Sequence, residues 1–200
     1  MLLDGKKKQA LNILITLNQE LGLEKLCLDV LTKGLEYIDL KWQQDEADLS
    51  EEHYIAEVTK DFLAHLRFSV KREVEKNARA VLLTVNGEMH DLALRIFEVF
   101  LERKGWQTFF IGNYLPHKKI INLLRKKEAD LVVLSVTMAG NFNLVQNLIA
   151  TIQTQLQAKA PKIMVGGHLF NNNRNLYQES GADFYATDIY QGVELAEKIK

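Results

Sequence analysis

The apolar positions of this chain change rhythm near Asn77. Before it they fall at helical spacing. Leu11, Leu14, Ile15, Leu17 and Leu21 recur every three or four residues, and so do Leu23, Leu26, Cys27, Val30, Leu31, Leu35 and Ile38. A polar stretch from Leu40 to Leu49 ends at Ser50, which reads as an N-cap with Glu51 and Glu52 in the first turn. The spacing of Ile55, Val58, Phe62, Leu66 and Val70 then predicts one long helix from Glu51 to about Lys76. Residues 1–76 therefore read as a bundle of three or four helices.

After Asn77 short apolar runs alternate with amphipathic stretches. Strands are expected at Ala80–Val85, Trp106–Ile111, Leu131–Val136, Lys162–Val165 and Phe184–Ala186. Helices are expected at Asp91–Lys104, closed by Gly105, and at Pro116–Lys127, Asn143–Gln157, Arg174–Ser180 and Tyr190–Ile199. Strands that are apolar throughout and separated by helices imply a parallel sheet covered on both faces. The fold class expected is α/β: an N-terminal helical bundle over residues 1–76, then a flavodoxin-like (Rossmann-like) five-stranded parallel sheet over residues 77–200.

Composition narrows the partners. The chain has 200 residues, 47% hydrophobic and 26% charged, with 25 basic against 26 acidic side chains for a net charge of −1. That balance lacks the basic footprint of direct nucleic-acid binding. No apolar run approaches the roughly 20 residues that span a bilayer. Lys6 to Lys8 precede an apolar run, but Asn12, Thr16 and Asn18 interrupt it and no small-residue cleavage site follows. A cytoplasmic protein is expected. The single cysteine, Cys27, excludes an internal disulfide and reads as a buried small hydrophobe.

Parallel sheets bind ligands at the carboxyl ends of their strands, near a switch in strand order. Asn86-Gly87-Glu88-Met89-His90-Asp91 follows the first expected strand. Ser135-Val136-Thr137 closes the third, and Gly166-Gly167-His168 follows the fourth. An imidazole, hydroxyls and a loop without side chains suit a bulky ligand with a metal and a polar tail. His90 would give nitrogen to the metal, and Glu88, two residues earlier, would take the other ring proton and fix the tautomer. No Cys cluster, no Gly-x-x-x-x-Gly-Lys loop and no Ser-His-Asp order points to a free-standing catalytic set.

These motifs resemble the cobalamin-binding domain family of methionine synthase, mutases, corrinoid carriers and cobalamin photoreceptors. The family pattern of Asp-x-His-x-x-Gly, Ser-x-Thr or Ser-x-Leu, and Gly-Gly reads here as Glu88-x-His90-x-x-Ala93, Ser135-x-Thr137 and Gly166-Gly167. Gly112 to Pro116 and Gly181-Ala182-Asp183 are further echoes, and the resemblance runs from Asn77 to Lys200. It implies cobalamin as cofactor and His90 as the cobalt ligand below the corrin. Asp91 joins the cofactor loop, and the displaced nucleotide tail lies beside Ser135, Thr137, Gly166 and Gly167. Ala93 departs from the family glycine, and its methyl group would crowd that tail.

The helical half has its own echo. Photoreceptor-type members carry Trp, nine residues, then Glu-His over the upper corrin face; Trp42, Glu52 and His53 have that spacing. The resemblance implies that these three cap the upper axial ligand. Gln43 stands where some light sensors have histidine. The function expected first is a non-enzymatic sensor of cobalamin, with adenosylcobalamin as ligand, methylcobalamin or hydroxocobalamin as alternatives, and light as a candidate input. It would act on transcription through a partner protein or a homo-oligomer. The alternatives are a corrinoid carrier of a methyltransferase system and a cobalamin-free interaction module.

Overall fold

The computed structural model describes residues 6–34, 37, 41, 44, 46, 48–69, 72–85, 91–112 and 115–200, except the side chains of Leu49, Glu52, Phe68 and Ser69. The chain divides into two compact units, Met1–Ser69 and Val70–Lys200.

In the first unit, helix α1 spans Lys7–Lys25 and is broken at Gly22, whose φ of 79° is costly for other residues. It runs on into a π-helical turn, Leu26–Thr32, that buries Leu26, Cys27 and Leu31. Helix α2, Leu49–Ser69, buries Val58, Phe62, Leu63 and Leu66 on one face. The expected cap moves by two residues. Asp48 Oδ1 accepts from Ser50 N at 2.7 Å, and Glu51 Oε2 reaches back to Asp48 N at 2.9 Å. This reciprocal pairing makes Asp48, not Ser50, the residue that satisfies the helix's first N–H groups.

Helix α2 also stops earlier than expected, at Ser69 rather than near Lys76. The residues that would have extended it are held elsewhere. Glu73 accepts from Arg103 Nε at 2.8 Å and Lys104 Nζ at 2.5 Å, and its backbone N–H donates to Arg103 O. The hydrogen bond from Lys104, with the charge of Arg103, holds the Glu73 carboxyl below the usual carboxylate range. Lys76 pairs with Glu197 at 2.8 Å. These charges gain more from the α/β unit than from another helical turn.

The second unit alternates strand and helix: β1 Arg79–Thr84, α3 Leu92–Arg103, β2 Gln107–Phe110, α4 His117–Lys127, β3 Leu131–Ser135, α5 Phe142–Leu156, β4 Lys162–Gly166, α6 His168–Asn172, α7 Asn175–Ser180, β5 Phe184–Ala186 and α8 Ile189–Glu197. All pairings are parallel and the strand order is β2-β1-β3-β4-β5, the flavodoxin-like order. The expected strands and long helices are therefore present. Among the described residues the added elements are α6, five residues long, and the 3-10 turns Ala139–Asn141 and Gln157–Lys159, all too short for a helical period to show in sequence.

Side chains alternate between the sheet's two faces. Val81, Leu83, Val85, Val132, Leu134, Val136, Ile163 and Val165 pack with Ile120, Ile121 and Leu124 of α4 and Val145, Leu148 and Ile149 of α5. Gly192 lets α8 approach the other face: a Cβ there would lie 3.0 Å from the Phe97 ring of α3. Among the described residues no helix is long and apolar enough to cross a membrane.

Cys27 is fully buried, and desolvation pushes its thiol up to about 12. Thiolate is the reactive form, so at pH 8 native protein should resist Ellman's reagent while urea-unfolded protein reacts stoichiometrically. Equal rates would show that the residue is accessible.

Candidate functional site

The carboxyl edge of the sheet carries one aligned row. Thr84 of β1 pairs in register with Ser135 of β3, Ser135 with Gly166 of β4, and Gly166 with Ala186 of β5. The row runs from two hydroxyls to a position without a side chain and then a methyl. The chain leaves β1 towards β2 on one side, whereas β3, β4 and β5 lie on the other. The switch point, and so the crevice, falls between β1 and β3. Ser135 is 9% exposed and Thr84 is buried, so these hydroxyls form the floor of the edge.

The glycine pair divides its work. Gly167 has φ 99° and ψ 175°, a conformation essentially reserved for glycine. A Cβ there would lie 2.5 Å from Val136 O and 2.9 Å from Val136 N. Val136 N donates to Gly166 O at 3.0 Å, and Leu169 N donates back to Val136 O at 3.1 Å. The backbones after β3 and β4 are therefore drawn tightly together, which only a glycine at 167 allows. Gly166 has no such strain, although its Cβ would come within 3.1 Å of Ala186 O.

Exposed apolar groups collect at this edge. The exposed large hydrophobic side chains of the described α/β unit are Val74, Leu115, Met138, Leu144 and Tyr190. All but Val74 lie in segments that follow a strand's carboxyl end. Leu115 and Leu144 line an open cleft with Thr84, Val85, Gly112 and His117. His117 Nδ1 lies 3.4 Å from Thr151 Oγ1 on the same side. An apolar rim over a floor of hydroxyls and glycine offers hydrocarbon to the face of a flat ring and hydrogen-bond partners to polar substituents.

The expected site residues fall unevenly. Glu88, His90 and Trp42 lie outside the described residues, as does the side chain of Glu52. Ser135, Thr137, Gly166 and Gly167 come together at the carboxyl edge. His53 is exposed on α2 in the helical unit. Asp91 immediately precedes α3, yet its side chain makes no cap hydrogen bond; Oδ2 accepts from Arg95 Nε at 2.9 Å instead. Ala93 is exposed on the first turn of α3, so its methyl group costs the fold nothing. Gly181 and Asp183 have structural duties. Gly181 closes α7 at φ 78°, and Asp183 Oδ2 accepts from Ile163 N at 2.9 Å. Sequence reading missed the exposed rim, because a leucine opening a helix looks the same in sequence whether it faces core or ligand.

Two family profiles match, both described as a B12 binding domain, over residues 78–194 and residues 1–67. A corrinoid protein of Desulfitobacterium hafniense is 25% identical over 186 residues, covering 91% of this chain and 85% of its own. Methionine synthase of Mycobacterium tuberculosis is 26% identical over 152 residues, 72% of this chain, but this chain spans only 13% of that enzyme. Among solved structures, the Methanosarcina barkeri monomethylamine corrinoid protein has a TM-score of 0.76 at 16% identity, covering 92% of this chain and 87% of its own. The methanol:cobalamin methyltransferase complex of the same organism has a TM-score of 0.53 at 13% identity, covering 98% of this chain and 75% of that one. These two show a shared fold.

The findings correct the function expected first. Matches along most of the chain are to corrinoid proteins, so the transcriptional sensor, and with it the transcriptional partner, is set aside. Trp42, Glu52 and His53 were too few constraints to choose between relatives: three residues at one fixed gap also suit a packed helix.

Gly167 and Gly140 give a direct test of the backbone reading. Gly140 has open space at its Cβ position. Gly167→Ala should cost at least about 2 kcal/mol of stability, and Gly140→Ala only a few tenths, measured as urea midpoints. Similar costs would contradict the tight approach at Val136.

Proposed function

We propose that this chain, which belongs to the B12 binding domain family, is a corrinoid carrier that serves the enzymes of a methyltransferase system. The observation that carries this reading is the match to a corrinoid protein along 91% of the chain, through both units. A bound corrinoid supplies a cobalt centre that accepts and yields a methyl group. The protein's own tasks are to hold it, orient it and keep one face available.

His90 is the proposed cobalt ligand, through one neutral imidazole nitrogen. Glu88 is proposed to accept the proton of the other ring nitrogen, which fixes the tautomer and the ring plane. Ser135 and Thr137 offer hydroxyls to the polar tail, and Gly166 and Gly167 leave room for it. Leu115, Met138, Leu144 and Tyr190 would lose exposure against the macrocycle, a gain of about 25 cal/mol per Å² of apolar surface covered. Trp42, Glu52 and His53 stay as proposed cofactor contacts from the helical unit. A carrier needs an exchangeable upper ligand, so methylcobalamin and hydroxocobalamin replace adenosylcobalamin as the proposed forms. The partners are methyltransferases, with the chain itself a carrier rather than a catalyst.

Purified protein mixed with hydroxocobalamin should co-elute with it on gel filtration and change its visible spectrum to that of cobalt with a histidine ligand. His90→Ala should lose that signature. Protein loaded with radiolabelled methylcobalamin should pass label to a thiol only when a thiol-directed corrinoid methyltransferase is added. No uptake by the wild type would sink the cofactor assignment, and no enzyme-dependent transfer would sink the carrier role.

A further inference from the structure

Helix α1 leaves most of its hydrocarbon uncovered. Ala10 is its one buried residue. Every large apolar side chain between Leu11 and Leu23 is at least partly exposed, with Ile13 at 44% and Leu21 at 42%. The first turn is tied to α2 by the Lys7–Asp61 ion pair at 2.6 Å. A helix in a folded protein draws most of its stability from packing an apolar face. An apolar stripe left open marks a surface that another molecule covers. Ile13, Leu17 and Leu21 recur at four-residue intervals, so they share one side of the helix. The stripe ends at Gly22, where a φ of 79° breaks the helix.

The charges of α1 are placed against its own dipole. Up to that break, Lys7 and Lys8 stand in the first turn, behind Lys6 at the cap, and Glu20 stands in the last. Cations are disfavoured at a helix N-terminus and anions at its C-terminus. Lys6, Lys8 and Glu20 are exposed and have no ion-pair partner among the described residues. A second helix of the same sequence running antiparallel corrects both ends, because it sets its own carboxylate and its negative end beside the lysines. A parallel neighbour would set lysine on lysine.

We infer that α1 is a self-association surface. The stripe of Ile13, Leu17 and Leu21 packs antiparallel against the same stripe of a second copy of this chain, with Lys6 of each copy beside Glu20 of the other. Setting Ile13 of one copy opposite Leu17 of the other puts Lys6 within one turn, about 6 Å along the axis, of Glu20. The contact is two-fold and self-complementary, the arrangement of most homodimers. One helix per copy is small on the scale of roughly 1,200–2,000 Å² for stable interfaces, so the pair forms and parts with concentration. The inference stands on α1 alone and does not depend on the carrier reading.

Sedimentation velocity of the whole chain over a concentration series tests this. The wild type should shift from monomer to dimer as concentration rises. Ile13→Asn and Leu21→Asn should each raise the dimer dissociation constant roughly tenfold or more, because each loss counts twice in a two-fold contact. Val74→Asn is the control, at an equally open apolar residue of the α/β unit (49% exposed), and should leave the constant unchanged. Lys6→Glu and Glu20→Lys should each weaken the pair, and the two together should restore it. Lys6 and Glu20 lie about 21 Å apart along one helix, so such rescue arises only between copies. Far-UV circular dichroism of each variant separates loss of the pair from loss of the helix. A wild type that stays monomeric at every concentration overturns the inference and leaves the stripe to another partner. A double charge reversal that pairs no better than either single one overturns it too, as does an equal loss in Val74→Asn.

Discussion

The central ladder β1-β3-β4 is the constraint from which the rest of the α/β unit follows. Its residues from Ala80 to Val85, from Leu131 to Val136 and from Ile163 to Val165 are all buried, so both faces must be covered. Parallel strands cannot be joined by tight turns, so each return needs a crossover; α3, α4, α5 and the pair α6–α7 supply these, and α8 follows the last strand. Every strand then ends on the same edge. The loops that gather there are freed from the core, and that is where chemistry-bearing residues have room. The site is thus a by-product of burying the sheet, sharpened by Gly167, which brings the chain after β4 against the backbone of Val136.

Much of this was legible in sequence. Buried parallel strands are apolar throughout, so their positions stood out without any partner information. The helices α3, α4, α5 and α8 showed their periods because they are long enough to have them. Less was legible where tertiary contacts overrule local preference. Nothing in Glu73 or Lys76 reveals that Arg103, Lys104 and Glu197 will draw them away from a helix. The cap at Asp48 was missed because Ser50 has the same local chemistry, and only the reach of Glu51 decides between them.

The site was legible as a set of loops but not as a surface. Ser135, Thr137, Gly166 and Gly167 were readable as strand-end positions because hydroxyls and glycines there are distinctive. Leu115, Met138, Leu144 and Tyr190 were not, because apolar residues are the default everywhere in such a chain and only their exposure marks them. The error over function came from the helical half. A spacing of Trp42, Glu52 and His53 says which residues share a region, not whether they serve a sensor or a carrier. The relatives that match through both units are corrinoid proteins, and it is they that overturn the sensor reading.

The two edges of the sheet are built from different interactions. At the amino edge, Asp130 accepts from Arg79 N and pairs with Lys200, Asp183 accepts from Ile163 N and pairs with Lys162, and Glu197 takes both Lys76 and the Trp106 indole N–H. Carboxylates bound to backbone N–H groups hold strand starts at fixed heights. At the carboxyl edge the floor is hydroxyl and glycine, and the rim is exposed hydrocarbon. Such an edge gives up stability that a ligand can return, which is why local rules are broken at functional sites and kept elsewhere. Asp91–Arg95 fits this division as the exception that explains itself. It is an ion pair of the amino-edge kind placed at the carboxyl edge, at the cost of a helix cap.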